Sequence, residues 1–270
     1  INMDNHAIYS FLEPEQRLQM LGYNETLEGV HAVNIKSVQG TNRTSKNEVE
    51  AYDQLIEHLD QQEGKLATPM YFLSSVWKSG RAGMEGLINP QASKFHRHML
   101  GMAAWESTID SPAKLKLFKI AVAEALGSKV DRQGDETSLE AFDRLRNQPE
   151  IRDGIATIKY LKSGVEMSAE EKLDAQEAIL AAIEKGGSKT HTLEALTALA
   201  TYSETEPFTT RMSKEVDGVT NGVIIGLIQL MSHRPKKLLE FLKAGGLSED
   251  KNFVYGEWIA KVGNFDNYQR

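Results

Sequence analysis

Ser213-Lys214-Glu215-Val216-Asp217-Gly218-Val219-Thr220-Asn221-Gly222-Val223-Ile224-Ile225-Gly226-Leu227-Ile228-Gln229 changes character in its middle. Phe208, Thr210, Met212 and Val216 lead into it as an alternating, β-friendly run, which predicts a strand ending at Asp217. Gly218 permits a tight turn, and an apolar helix follows at once. That order projects one carboxylate from a strand end with backbone groups beside it. Magnesium favours such places, taking one or two carboxylates, a carbonyl, waters and substrate phosphates. An Asp-Gly pair after a strand is also an ordinary turn, and the pair alone does not separate the two readings.

Outward from this stretch, helical signals dominate. Ser45 with Glu48 reads as a capping box before Val49, Tyr52, Ile56 and Leu59, with Gly64 ending the pattern. Ser111-Pro112 opens a helix that Gly127 closes, and Ser168 with Glu171 opens another that runs to Gly186-Gly187. Further helices are predicted around 138–147, 150–162, 191–202 and 235–244. Met70-Tyr71-Phe72-Leu73 is a short strand signal, and 127–137 reads as an exposed loop. The expected class is α+β, helix-rich with a small antiparallel sheet. The expected organisation is an N-terminal helical segment over 1–66 and a second part over 67–270.

Composition sets bounds on function. The 270 residues carry 38 acidic against 31 basic side chains, a net charge of -7. Duplex DNA binding by one protein alone usually shows the opposite excess, because released counterions drive it. A local basic cleft, or a partner that brings positive charge, is still compatible. The chain has no cysteine, which excludes disulfides and thiolate chemistry. Its longest apolar run, Val223 to Ile228, is far shorter than the ~18 residues a membrane helix needs. The seven histidines offer no metal-ligand spacing apart from His96 and His98, which argues against zinc.

A second informative segment is Val76-Trp77-Lys78-Ser79-Gly80-Arg81-Ala82-Gly83-Met84-Glu85-Gly86-Leu87-Ile88-Asn89-Pro90-Gln91. Lys78 and Arg81 flank small residues, so two cations can approach a phosphate backbone closely; a solvated loop is the plainer account of the segment alone. Taken together and in this order, the two segments resemble the single-subunit RNA polymerases of phages and mitochondria. Gly80-Arg81 and Asn89-Pro90-Gln91 stand at that family's spacing. Asp217-Gly218-Val219-Thr220-Asn221-Gly222 is similar to its motif A, and Tyr255-Gly256 to a later Tyr-Gly. The likeness is specific over 76–91 and 208–230, with a helical section at 111–205 between them, and looser over 245–262. Trp77 stands where the family has an aspartate.

The resemblance implies a partial palm. In it Asp217 and the Gly218 carbonyl hold Mg2+, and Thr220, Asn221, Gly222 and Tyr255 form an active-site loop. Lys78, Gly80, Arg81 and Gln91 contact template or hybrid. The family's motif B, with its lysine and tyrosine, and motif C, with its His-Asp-Ser turn, have no counterpart after Asp217. The expectation is a split, two-chain phage enzyme in which a companion polypeptide supplies them and shares a two-metal site. An accessory promoter-opening or single-stranded-DNA-binding protein is also expected, with DNA, RNA and NTPs as ligands and the infected host's cytoplasm as the location. His96, Arg97 and His98 either border nucleic acid or form a polar helix face. Ile109-Asp110-Ser111 looks like motif C but is better explained as a helix start. A DNA-synthesising relative and a non-catalytic helical scaffold are the rival readings.

Overall fold

A computed structural model describes residues 1–25, 36–61, 66, 69–76, 82–101, 106–129 and 133–214. The chain divides into two compact units, Ile1–Ser213 and Lys214–Arg270. Only the first unit falls almost wholly within the described residues. They hold nine helices and two small antiparallel sheets, so the helix-rich α+β class is as expected.

Local signals account for most helix starts. α1 (Met3–Phe11) begins where the Asn2 side chain accepts from the Asn5 N–H. α2 (Pro14–Met20) has a capping box between Glu13 and Gln16, with Pro14 fixing the first turn. α3 (Lys36–Asp60) is the longest. It starts well before Ser45, so the capping box read there is corrected. Ser45 is buried inside the helix, and its hydroxyl donates to the Leu21 carbonyl, which ties α3 to the end of α2.

The next elements are a hairpin and a short helix. β1 (Ser74–Val76) pairs antiparallel with β2 (Ala82–Met84), Ser74 opposite Met84. The strand expected at Met70–Leu73 is displaced by a few residues, and Leu73 only extends the ladder by accepting from the Glu85 N–H. α4 (Lys94–Leu100) is capped by Ser93, and β3 (Ser107–Ile109) leads to α5 (Pro112–Ala125), capped by Ser111. Ile109-Asp110-Ser111 is thus a strand end and a helix cap.

The C-terminal half of the unit is helical. α6 (Ser138–Arg146), α7 (Pro149–Lys162) and α8 (Ala169–Gly186) follow, with α8 opened by the Ser168–Glu171 box and ended by Gly187 at φ 73. α9 (Thr190–Leu199) is buried along its whole length and packs against α1, α4, α5, α7 and α8. It is the pillar around which the unit is built. β4 (Phe208–Thr210) then pairs antiparallel with β3, Ser107 opposite Thr210 and Ile109 opposite Phe208. Phe208 packs edge-on against Phe118 of α5 and against Tyr202, which seals that sheet onto the helices.

Candidate functional site

A helix buried on every side should be apolar, yet α9 carries Thr190, His191, Thr192, Glu194 and Thr197. Burial of such groups is tolerated only where each finds a partner. Thr192 donates to the Ala125 carbonyl at 3.0 Å, and the single Thr197 hydroxyl proton is shared between Asn5 Oδ1 at 3.0 Å and the Glu194 carbonyl at 2.9 Å. Asn5 in turn donates to the His98 carbonyl at 2.9 Å. α1, α4, α5 and α9 are therefore stitched by directional bonds as well as packed.

Glu194 sits at the centre of this arrangement. Its Oε2 accepts from His98 Nδ1 at 3.0 Å and from the Ser213 hydroxyl at 2.6 Å. His191 Nε2 lies 3.8 Å from the same oxygen and donates to the Ser213 carbonyl at 3.2 Å. These bonds gather α4, α9 and the chain leaving β4. Beside them lies a cavity of about 230 Å3, lined by Glu194, Thr197, Thr209, Arg211, Lys162 and Asp4 among others. Lys162 and Asp4 form an ion pair at 2.9 Å across its rim.

Three side chains with ligand atoms all within 4.8 Å of one another, His98, His191 and Glu194, invite a metal reading. Ring geometry opposes it. The two imidazoles stack with centroids 4.7 Å apart and planes 14° from parallel. A ring nitrogen binds metal in its own plane, and two nearly parallel planes do not meet at one ion about 2.1 Å from both nitrogens. The cluster is a hydrogen-bond node. His191 and Glu194, three apart on one helix, were a readable sequence signal that the histidine spacing reading passed over. His98 lies too far away in sequence to have been joined to them.

The readings of His96 and His98 as a nucleic-acid border or a polar helix face are both corrected, since both residues are buried. His96 packs against Phe95, and neither ring nitrogen makes a hydrogen bond of ordinary geometry among the described residues. Burial holds its pKa below the usual histidine value, with the nearby Glu48 backbone acting weakly the other way.

Asn89-Pro90-Gln91 acts first as a brace for the hairpin. The Asn89 amide donates to the Gly86 carbonyl at 2.8 Å, and its oxygen accepts from the Gln91 N–H at 2.8 Å. Gln91 Oε1 accepts from the Met84 N–H at 2.7 Å, beside β2. Arg97 Nε donates to the Pro90 carbonyl at 3.0 Å and fixes the turn to α4. The predicted contacts Lys78, Gly80 and Arg81 lie outside the described residues. So do Asp217, Gly218, Thr220, Asn221, Gly222, Tyr255 and the helix expected at 235–244.

Against this geometry, residues 1–100 match a protein family described as virion DNA-directed RNA polymerase domain. The matched stretch covers α1 to α4, including the hairpin and its Asn-Pro-Gln brace. The match takes in 100 of the 270 residues. No curated protein matches the chain. Among the described residues no helix is long and apolar enough to cross a membrane.

Proposed function

We propose that this chain takes part in DNA-directed RNA synthesis as one subunit of a two-chain, phage-type polymerase. The observation that carries the reading is the match of residues 1–100 to a virion RNA polymerase domain. It falls on a different part of the chain from Asp217-Gly218, so the two indications of a polymerase are separate. On this reading β4 leads into a palm motif, and Asp217 and the Gly218 carbonyl hold divalent metal. Lys78, Gly80, Arg81 and Gln91 meet template or hybrid. Thr220, Asn221, Gly222 and Tyr255 line the nucleotide side.

Two Mg2+ ions, when bound, stabilise the attacking 3′-hydroxyl and the triphosphate oxygens of an in-line phosphoryl transfer. The chain's own part is to fix one carboxylate where those oxygens converge. On the same reading a companion polypeptide supplies a second aspartate and the fingers residues. An accessory protein opens the promoter, and the assembly works in the cytoplasm of the infected host.

The test is Asp217→Asn in the full chain, purified with the polypeptides that assemble with it and assayed for NTP incorporation on single-stranded template. The amide keeps size and shape but weakens metal binding. Synthesis is expected to fall by about a thousandfold or more, with assembly unchanged. Undiminished synthesis with assembly verified would reject the polymerase role and leave a helical scaffold. Incorporation of deoxyribonucleotides in preference to ribonucleotides would move the enzyme to the DNA-synthesising branch.

A further inference from the structure

Glu194 is almost fully buried in the middle of a helical pillar, where an apolar residue would pack without desolvating a charge. Removing a carboxylate from water costs several kcal/mol unless hydrogen bonds offset it. Here they do, and the bonds have a direction. Ser213 is held twice from one face of α9, by its hydroxyl to Glu194 and by its carbonyl to His191. His98 holds the same carboxylate from α4. An apolar side chain at 194 could fill the space but could not grip Ser213.

The β3–β4 ladder ends at Thr210, and the Met212 N–H folds back onto the Thr210 hydroxyl at 3.1 Å. Ser213 is therefore tied down three residues beyond the sheet and four residues before Asp217. An extended chain spans at most about 3.3–3.6 Å per residue, so a tether at Ser213 leaves Asp217 a reach of about 14 Å. A tether at Thr210 alone would leave about 24 Å. The shorter tether narrows the space open to that carboxylate without by itself fixing it.

We infer that Glu194 and His191 are positioning residues that latch Ser213 and so set where the chain runs on towards Asp217. The role in synthesis rests on the polymerase reading above, whereas the latch itself can be measured without it. Ser213→Ala removes the hydroxyl from a half-buried position and leaves the helical pillar intact. Ser213→Thr keeps a hydroxyl and serves as the conservative rescue. Glu194→Gln keeps the shape and removes the charge.

In the full chain, hydrogen exchange followed by mass spectrometry should show residues 208–214 exchanging about tenfold faster in Ser213→Ala and Glu194→Gln, with Ser213→Thr close to wild type. In the incorporation assay Ser213→Ala should lower kcat about tenfold, with KM for NTP within about twofold, because only placement of the carboxylate has changed. Unchanged exchange in both Ser213→Ala and Glu194→Gln would remove the latch. Faster exchange with kcat intact, in an enzyme that Asp217→Asn inactivates, would remove the positioning role. If Asp217→Asn has no effect on synthesis, the polymerase reading fails, and the exchange result alone decides the latch.

Discussion

Asn89 shows how one side chain can be recognised for one reason and serve another. In the sequence it stood out as part of a spaced motif. In the fold it is buried at 4% exposure, bonded to the Gly86 carbonyl and to the Gln91 N–H. Asn89→Ala leaves both of these groups without that partner, and the cost should be about 2–3 kcal/mol in urea unfolding. Aspartate at the same site retains the acceptor for the Gln91 N–H but not the donor to Gly86, and should lose about half as much. The motif was legible; its bracing role was not. Hydrogen bonds between a loop and its own return strand leave no periodicity to read. The node at Glu194 was hidden for a related reason, since its partners lie 96 and 19 positions away.

At the scale of elements, legibility followed capping chemistry. Ser111-Pro112 and Ser168-x-x-Glu171 began helices where the local pattern placed them, because a cap is a contact within four residues. Ser45 shared that pattern, but in the fold its hydroxyl is spent on the Leu21 carbonyl and α3 runs through it. Packing between elements was less visible. α7 and α8 approach so closely at Gly154 that a Cβ there would lie 2.5 Å from the Ala182 methyl. Gly154→Ala adds about 1 kcal/mol of helix propensity, which by itself would stabilise α7. A Cβ cannot rotate away, however, so the two helices must part along their interface, at about 1–3 kcal/mol. Net destabilisation is expected in thermal melts. Gly154→Ala combined with Ala182→Gly should recover part of it, which simple additivity would not give.

For the molecule as a whole, the buried His96 and the half-buried His6 predict how stability depends on pH. Burial lowers the pKa of both His96 and His6 in the folded protein, more than the nearby Asp60 raises that of His6. As pH falls through about 6.5, the unfolded chain takes up these protons before the folded one does. Stability contributed by the neutral rings is therefore present above that pH and lost below it. Glu48, whose pKa is raised chiefly by burial, acts in the opposite sense at pH values above its ordinary 4.5. The ordinary histidine value falls within the range from pH 7 to pH 5.5 and that of Glu48 below it, so the melting temperature should drop between about pH 7 and pH 5.5. His96→Leu should flatten that slope and, by removing a ring with no ordinary hydrogen bond, leave stability at pH 8 unchanged or higher. A slope as steep in His96→Leu as in wild type would refute the assignment.

The pairing of Ser107 with Thr210 bears on the order in which the chain acquires its structure. Closing that ladder joins segments roughly a hundred residues apart, an entropic expense that nothing offsets until the intervening helices have condensed. During synthesis, β3 leaves the ribosome long before its mate and waits with its edge open. The helices between them thus condense first, and β4 takes its place beside β3 afterwards.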